Sequence, residues 1–193
     1  MIDYQGIGTS DHAVGATNWQ GAYDATQYLI SMGHKRIGFI TGRIEIRAAT
    51  DRLNGYYAAL TDRGITVDPT LIYHGDFMRT QGFAGANTLL ALSHPPTAIF
   101  ASNDEMAFGV IEAIRECGLH IPEDISVIGF DDIPRAAVVY PSLTTVRQPL
   151  AQMGREGTHI LLKLIDCPTL PVEQKVLPTE LVVRQSCQAP KSP

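Results

Sequence analysis

The sequence lacks the features of a disulfide-stabilised, zinc-binding or membrane-embedded protein. Its 193 residues include three cysteines, widely spaced and never in a C-x-x-C pair, so neither a disulfide framework nor a zinc site is indicated. No apolar run approaches the ~18 residues of a transmembrane helix, and the first residues lack the basic and apolar regions of a signal peptide. We therefore expect a cytoplasmic protein without membrane contact.

Positive charge and catalytic motifs are scarce as well. Lys and Arg number 15 against 20 Asp and Glu, a formal net charge of −5, whereas a protein that binds the DNA backbone presents a basic patch. There is no G-x-S-x-G elbow, no H-E-x-x-H, no P-loop and no G-x-G-x-x-G after a predicted strand. We expect a chain that does not bind DNA by itself, is not an enzyme and carries no metal or cofactor.

What the sequence does have is a regular alternation of two patterns. Apolar residues at helical spacing alternate with apolar runs that are too short for a helix. The predicted helices cover residues 21–32, 47–63, 80–92, 106–117 and 150–165, and the predicted strands cover residues 36–41, 71–74, 98–101, 126–130, 143–146 and 181–184. This order predicts an α/β fold with a doubly wound parallel sheet.

The stretch of residues 95–132 organises the rest of the chain. It has the pattern of a strand, a helix and a second strand, and the right-handed crossover of such a unit makes the two strands parallel. The polar residues that follow the strands, at 102–104 and 131–132, should then emerge at one edge of the sheet. Open α/β sheets bind their ligands at this edge.

The polar residues at this edge admit more than one role. Ser102 and Glu105 have the spacing of a capping box, which would leave Asn103 free, but Asn103 could instead cap the helix itself. The adjacent carboxylates Asp131 and Asp132 could cap the next segment, hold Mg²⁺ or accept hydrogen bonds from a polar ligand. These alternatives stay open.

The segment TAIFASNDEMAFGVIEAIRECGLHIPEDISVIGFDD, followed by PSLTTVRQP, resembles the C-terminal part of the effector-binding domain of the LacI/GalR family of bacterial transcription regulators. The resemblance continues upstream through GHKRIGFITG, RLNGYYAAL and GDF and downstream to LPTELVVRQS, so it covers nearly the whole chain from about residue 18. It implies a periplasmic-binding-protein-like fold that binds a sugar or similar effector.

The family layout implies how the chain is divided. The intact family has a helix-turn-helix followed by two α/β lobes that three crossovers join, and here the helix-turn-helix and most of the first lobe are absent. The chain would therefore be a fragment or a truncated product. Its segments would be a loop or cut end (1–17), the C-terminal lobe (18–147), a helix of the N-terminal lobe (148–168), a return to the C-terminal lobe (169–186) and a flexible tail (187–193).

The resemblance places the effector contacts on five residues: Arg52, Phe77, Asn103, Asp131 and, at the hinge, Gln148. A guanidinium, a carboxylate and an amide can hydrogen-bond neighbouring hydroxyls, and an aromatic ring can cover the apolar face of a sugar. Simpler roles stay open for two of them. Phe77 could be an ordinary core residue, and Arg52 could be a solvated helix charge or an ion-pair partner.

The function that the resemblance implies is the effector-binding region of a LacI/GalR-type regulator that acts as a homodimer. A carbohydrate-like ligand between the lobes would modulate DNA binding by a helix-turn-helix that this sequence does not contain, through its different affinity for two lobe arrangements. The alternative is the sugar-binding receptor of a transport system, which has the same fold.

Overall fold

The computed structural model describes residues 11–191, whose strands and helices alternate along the chain. The strands are β1 (Ala13–Ala16), β2 (Ile37–Thr41), β3 (Ile72–His74), β4 (Ala98–Ala101), β5 (Ser126–Asp131), β6 (Thr144–Arg147), β7 (Gln174–Leu177) and β8 (Glu180–Val182). The helices are α1 (Asn18–Ser31), α2 (Arg47–Asp62), α3 (Arg79–Leu90), α4 (Asp104–Glu116), α5 (Pro134–Val138) and α6 (Leu150–Asp166).

The strands form two sheets of unequal size. The larger sheet has the order β3-β2-β4-β5-β6-β8, and its neighbours are parallel except for the antiparallel pair of β6 and β8. The smaller sheet is the parallel pair of β1 and β7. The predicted α/β class with a parallel sheet is confirmed.

Apolar side chains fill a core on each face of the larger sheet. On one face, α1 and α2 bury Leu29 and Tyr56 against Phe39 of β2. On the other face, α4 contributes Met106 and Ile114 to a second core. Strands β2 and β4 are buried along their whole length, which explains why their sequences are continuous apolar runs rather than alternating ones.

Most predicted elements lie within three residues of their observed bounds, but three elements differ from the prediction. Residues 13–16, predicted as part of a loop, form β1, and neither β7 nor α5 was predicted. Strands β1 and β7 pair with each other, Ala13 opposite Gln174, so no local pattern indicates them. Residues 1–10 of the predicted loop lie outside the described residues.

The predicted flexible tail is anchored over residues 187–191. The backbone N–H of Gln188 donates to Ser126 Oγ (3.1 Å), and the Gln188 carbonyl accepts from Nε2 of the buried His34 (2.9 Å). His34 Nδ1 lies 2.8 Å from Thr97 Oγ1, so both ring nitrogens of this histidine have structural partners. Residues 192 and 193 lie outside the described residues.

The chain passes between the two sheets three times, after β1, after β6 and after β7. The first and last of these crossings are joined side by side. Thr17 Oγ1 accepts from the backbone N–H of Thr179 (2.9 Å), the two hydroxyl oxygens are 2.8 Å apart, and Thr179 Oγ1 donates to the Thr17 carbonyl (3.3 Å).

Helix α6, with 17 residues, is the longest described helix, and no helix within residues 11–191 is long and apolar enough to cross a membrane. One side of α6 packs on the smaller sheet, where Met153 and Ile160 are buried against Val14 and Ala16. Its opposite side carries three apolar residues that are more than half exposed: Leu161, Leu162 and Ile165.

We expect this exposed face of α6 to cause self-association of the chain, because contiguous exposed apolar side chains recruit a partner. Replacing both Leu162 and Ile165 with Glu should lower the average mass measured by light scattering over a concentration series. Stability should change by only about 0.5 kcal/mol, as is usual for surface positions. Val183→Glu, at another exposed apolar position, is the control. A wild-type chain that is monomeric at every concentration would contradict the prediction.

Candidate functional site

The carboxyl ends of β2 to β6 border an open cavity of about 440 Å³. All five predicted contact residues line it. Its polar and charged lining consists of Arg43, Arg52, Asp76, Asn103, Asp131 and Gln148, and its apolar lining consists of Ile46, Ala48, Phe77 and Leu150. The sheet topology therefore brings together residues that are nearly a hundred positions apart, at the edge where open α/β sheets bind ligands.

A second cavity, of about 330 Å³, lies beside the smaller sheet. Its lining comes from β1, β7 and the first turns of α1 and α2, and includes Trp19 and Gln174. None of its lining residues lies in a loop that directly follows a strand of the larger sheet. We therefore take the cavity at the strand ends, which we call the strand-end cavity, as the candidate functional site.

The guanidinium of Arg52, on α2, lies at the floor of the strand-end cavity. Its side chain is 3% exposed. Nε donates to Asn18 Oδ1 (2.9 Å) and Nη1 donates to the Ser102 carbonyl (2.6 Å). Its Cζ lies 3.9 Å from the centroid of the Phe130 ring, within cation–π range. The interpretation of Arg52 as a solvated charge is wrong. Nη1 lies 3.8 Å from Asp131 Oδ1, as expected of an ion-pair partner.

Asp131 and Gln148 form a hydrogen-bonded pair in the wall of the cavity. Gln148 Nε2 donates to Asp131 Oδ1 (2.8 Å), and the backbone N–H of Gln148 donates to the Asp131 carbonyl (3.2 Å). A carboxylate can only accept hydrogen bonds, so the amide of Gln148 must turn its N–H groups toward Asp131. Gln148 Oε1 then faces away from Asp131.

Gln148 Oε1 is an available acceptor. Gln148 is 6% exposed, and among residues 11–191 no donor lies within hydrogen-bond distance of this oxygen. A buried polar atom without a partner costs about 1–3 kcal/mol. Because Gln148 lines the cavity, a ligand with an O–H or N–H group could satisfy this oxygen.

Asn103 caps α4, so of the two capping alternatives the one with Asn103 is correct. Asn103 Oδ1 accepts from the backbone N–H of Met106 (3.0 Å), while Ser102 Oγ has no partner among the described residues. The predicted capping box of Ser102 and Glu105 is therefore wrong, because the capping residue lies one position later than Ser102. Asn103 Nδ2 donates to the Phe77 carbonyl (3.0 Å). The amide thus holds two parts of the cavity wall together and keeps one N–H for a ligand.

The ring of Phe77 lies against Gly42 at the rim of the cavity. A Cβ atom on Gly42 would lie 2.0 Å from Phe77 Cζ, so only glycine permits this contact. Phe77 has a φ of +74°, which is rare for a residue with a side chain. It is partly buried against the core beside α4. It therefore has both of the roles weighed for it, core packing and cavity lining.

Neither carboxylate of the Asp131–Asp132 pair caps the following helix. The N-cap of α5 is Ile133, without a side-chain hydrogen bond. Asp132 instead accepts from Arg147 Nε (2.7 Å) and from Arg184 Nη2 (2.6 Å). Within residues 11–191, no group of three or more His, Cys, Asp or Glu could hold a metal ion. The capping alternative is therefore wrong, and Asp132 forms ion pairs with two arginines.

A fully buried carboxylate, Asp104, lies behind the cavity wall. It accepts from Thr145 Oγ1 (2.6 Å) and from the backbone N–H of Ile133 (2.9 Å). A Cβ on Gly129 would lie 2.2 Å from Asp104 Oδ1, so the glycine in β5 makes room for it. Burial raises the pKa of Asp104 from 3.8 to about 7, the two hydrogen bonds oppose the rise, and nearby Asp131 adds to it.

Of the apolar lining, sequence analysis identified Phe77 and missed Ile46, Ala48 and Leu150. Ala48 precedes Arg52 by four residues on α2, and residues at this spacing share a helix face. That spacing could have indicated Ala48. Ile46 and Leu150 lie at the starts of α2 and α6, where no periodic pattern distinguishes a cavity residue from an exposed one.

The comparisons with known proteins agree with this architecture. The model of the periplasmic binding protein-like domain matches residues 26–187. The HTH-type transcriptional repressor CytR of Escherichia coli K12 is 41% identical over 172 residues, which cover 89% of this chain and 50% of that protein. The chain thus spans about half the length of the curated relatives that it matches.

Two solved structures extend the comparison. The transcriptional regulator CelR in complex with cellobiose superposes with a TM-score of 0.88 at 37% identity, covering 93% of this chain and 56% of that one. A LacI family transcriptional regulator from Enterococcus faecium with bound ribose gives a TM-score of 0.89 at 31% identity, covering 98% of this chain and 70% of that one.

The fold and the strand-end cavity define a ligand-binding domain of the periplasmic-binding-protein-like type. Within that class, the chain belongs to the LacI family of transcriptional regulators. The relatives reported above are a transcriptional repressor and two transcriptional regulators.

Asp104 should make the stability of the chain depend on pH. Because folding raises its pKa, the folded state binds the proton more tightly than the unfolded chain. This stabilisation is complete below about pH 4 and is lost as the pH rises through about 7. Asp104→Asn, which stays neutral, should therefore reduce the fall in the free energy of unfolding between about pH 5 and about pH 8, measured by urea denaturation.

Asp124→Asn is the control for this experiment. Hydrogen bonds from Lys191 and His120 lower the pKa of Asp124 to about 2, so its contribution to stability is lost only as the pH falls toward that value. This variant should keep the wild-type slope between about pH 5 and about pH 8. An Asp104→Asn variant with that same slope would contradict the prediction.

Proposed function

We propose that the strand-end cavity binds a small carbohydrate-like effector, and that this binding modulates DNA recognition by a helix-turn-helix outside these 193 residues. The observation that carries the proposal is the pairing of Asp131 with Gln148, whose buried Oε1 lacks a partner among the described residues. Both residues offer acceptors to hydroxyl donors. Phe77, Ile46 and Leu150 offer apolar contact to a sugar ring.

The relatives support this class of ligand and this role. One structure of the same fold contains cellobiose, and another, from the same family, contains ribose. CytR, which matches most of the chain, is a transcriptional repressor. We therefore favour a regulator over the alternative, the sugar-binding receptor of a transport system. The chain's net charge of −5 disfavours contact with the DNA backbone, so DNA binding in this proposal belongs to another part of the protein.

The cavity is placed to respond to a change in how the two sheets are arranged. Most of its lining belongs to the larger sheet and its helices, but Gln148 lies in the crossing after β6 and Leu150 begins α6, which packs on the smaller sheet. We propose that the larger sheet belongs to one lobe and that α6 with the smaller sheet belongs to the other. A ligand that contacts both shifts the equilibrium by its different affinity for the two arrangements.

We propose that the protein binds its ligand without catalysing a reaction, and that it does so in the cytoplasm. The described residues that line the cavity include no Ser, Thr, Cys, His or Lys, which serve many enzymes as nucleophiles or bases, and its carboxylates are those of Asp76 and Asp131. The charged groups at its floor, Arg52 and Asp131, face each other. A location in the cytoplasm fits a regulator that acts on DNA.

The test is calorimetric titration of the chain with cellobiose, D-ribose and a panel of other mono- and disaccharides. Asp131→Asn keeps the shape and the positive φ of the residue but removes the charge of the acceptor. It should weaken the binding of the sugar by about 1.5–3 kcal/mol, roughly 10- to 100-fold. Gln148→Met removes only the amide and should also weaken the binding of the sugar.

Gln174→Met is the matched control, because Gln174 lines the second cavity and lies outside the first. It should leave the affinity unchanged. Equal affinities for wild type, Asp131→Asn and Gln148→Met would remove these residues from the binding site. Weaker binding in Gln174→Met alone would move the site to the second cavity.

We further propose that the protein is a homodimer. Val138, the last residue of α5, and Tyr140, which lies between α5 and β6, are each 80% exposed, and exposed apolar side chains of this size are typical of an interface. In a chain whose exposed α6 face carries Leu162→Glu and Ile165→Glu, Tyr140→Asp should convert the remaining dimer to a monomer in sedimentation velocity. Val183→Glu, at another exposed apolar position, should leave that dimer intact, and a Tyr140→Asp variant that also remains dimeric would contradict the proposal.

A further inference from the structure

The second carboxylate of the doublet, Asp132, lies outside the cavity and contacts the segments that border it. Its side chain is 7% exposed. Oδ2 accepts from Arg147 Nε at 2.7 Å, and Oδ1 accepts from Arg184 Nη2 at 2.6 Å. Charge-assisted bonds of this length are among the stronger hydrogen bonds in proteins.

The two arginines belong to different parts of the larger sheet. Arg147 ends β6, directly before Gln148, and pairs in register with Asp131 of β5. Arg184 follows β8, donates from Nη1 to the Leu143 carbonyl (2.8 Å) and is therefore joined to the start of β6. Asp132 thus connects the turn after β5 with the strand end that carries Gln148.

The turn that Asp132 occupies needs such support. Asp131 and Asp132 have φ values of +118° and +57°. Positive φ is uncommon for residues other than glycine and is destabilising unless the surrounding structure holds it. The turn persists because neighbouring groups hold it on both sides: the arginines hold Asp132, and Asp104 accepts from the N–H of Ile133 at 2.9 Å.

We propose that Asp132 is a positioning residue for effector binding. Asp132 binds Arg147 and Arg184. It thereby holds the turn that contains Asp131 and the strand end that precedes Gln148 in the relative position in which Asp131 and Gln148 form their hydrogen-bonded pair. The inference rests on the proposed function of the strand-end cavity. Asp131 contacts the ligand, and Asp132 acts only through Asp131 and Gln148.

Hydrogen exchange tests the local part of this proposal without any ligand. Asp132→Asn keeps the side-chain shape and tolerates positive φ, but it removes the charge that both arginines contact. Two amide hydrogens should exchange about tenfold faster, because the local opening loses charge-assisted bonds. They belong to Gln148, which donates to the Asp131 carbonyl, and to Ile133.

The control is Asp124→Asn. Asp124 also accepts from a cation, Lys191, but it lies before β5 at the opposite end of the strand. It should leave the exchange of both amides unchanged. Unchanged exchange at Gln148 and Ile133 in Asp132→Asn would overturn the proposal, whether or not the chain binds a sugar.

A double-mutant cycle with cellobiose and D-ribose separates positioning from general stabilisation. Asp132→Asn alone should weaken the binding of the sugar, whereas the loss in the chain with both Asp131→Asn and Asp132→Asn should be smaller than the sum of the two single losses. Additive losses would overturn the positioning role and leave Asp132 as an ion-pair residue of the scaffold. If neither sugar binds, the proposed ligand class fails, and hydrogen exchange still decides the role of Asp132.

Discussion

The buried guanidinium of Arg52 is the interaction on which the candidate site depends. A charge removed from water is costly unless several groups compensate it at once. Here the compensating groups come from the start of α1, through Asn18, and from the ends of β4 and β5, through Ser102 and Phe130. Each of them must be in place for Arg52 to be buried. The side chain therefore fixes the relative position of elements that the chain order separates, and the cavity is built on that floor.

The alternation of strands and helices was predictable because it is encoded locally. Strands such as β2 and β4 are short apolar runs that are buried on both faces, and α1 and α2 end close to a glycine. Strands β1 and β7, which sequence analysis missed, have no regular alternation of polar and apolar residues in the sequence, whereas α5 begins with Pro134, a helix-start signal that was overlooked. Residues 174–177 alternate between exposed and partly buried positions, and they form a strand only because Ala13–Ala16 lies beside them. The anchored tail is similar, since its bonds reach back to Ser126 and His34.

The candidate site was predicted through family resemblance and strand-end topology, and the structure brings the five residues to one cavity. Its finer chemistry depends on distant contacts. The burial of Asp104 follows from Gly129 and Thr145, which meet it only after β5 and β6 have paired. The ion pairs of Asp132 with Arg147 and Arg184 likewise form only after distant segments of the chain have come together. Asn103 was the exception, because a capping residue is a local property that the sequence already offered as an alternative.

The contact between Thr17 and Thr179 constrains how the two sheets can move. Beyond this contact, β1 and β7 continue as a parallel ladder in which Ala13 to Ala16 pair with Gln174 to Leu177. If one strand slid along the other by a single residue, every rung of this ladder would break together. A common twist of both strands keeps all the rungs intact. The paired crossings are therefore held together, so a movement of the smaller sheet relative to the larger one must displace both crossings at once.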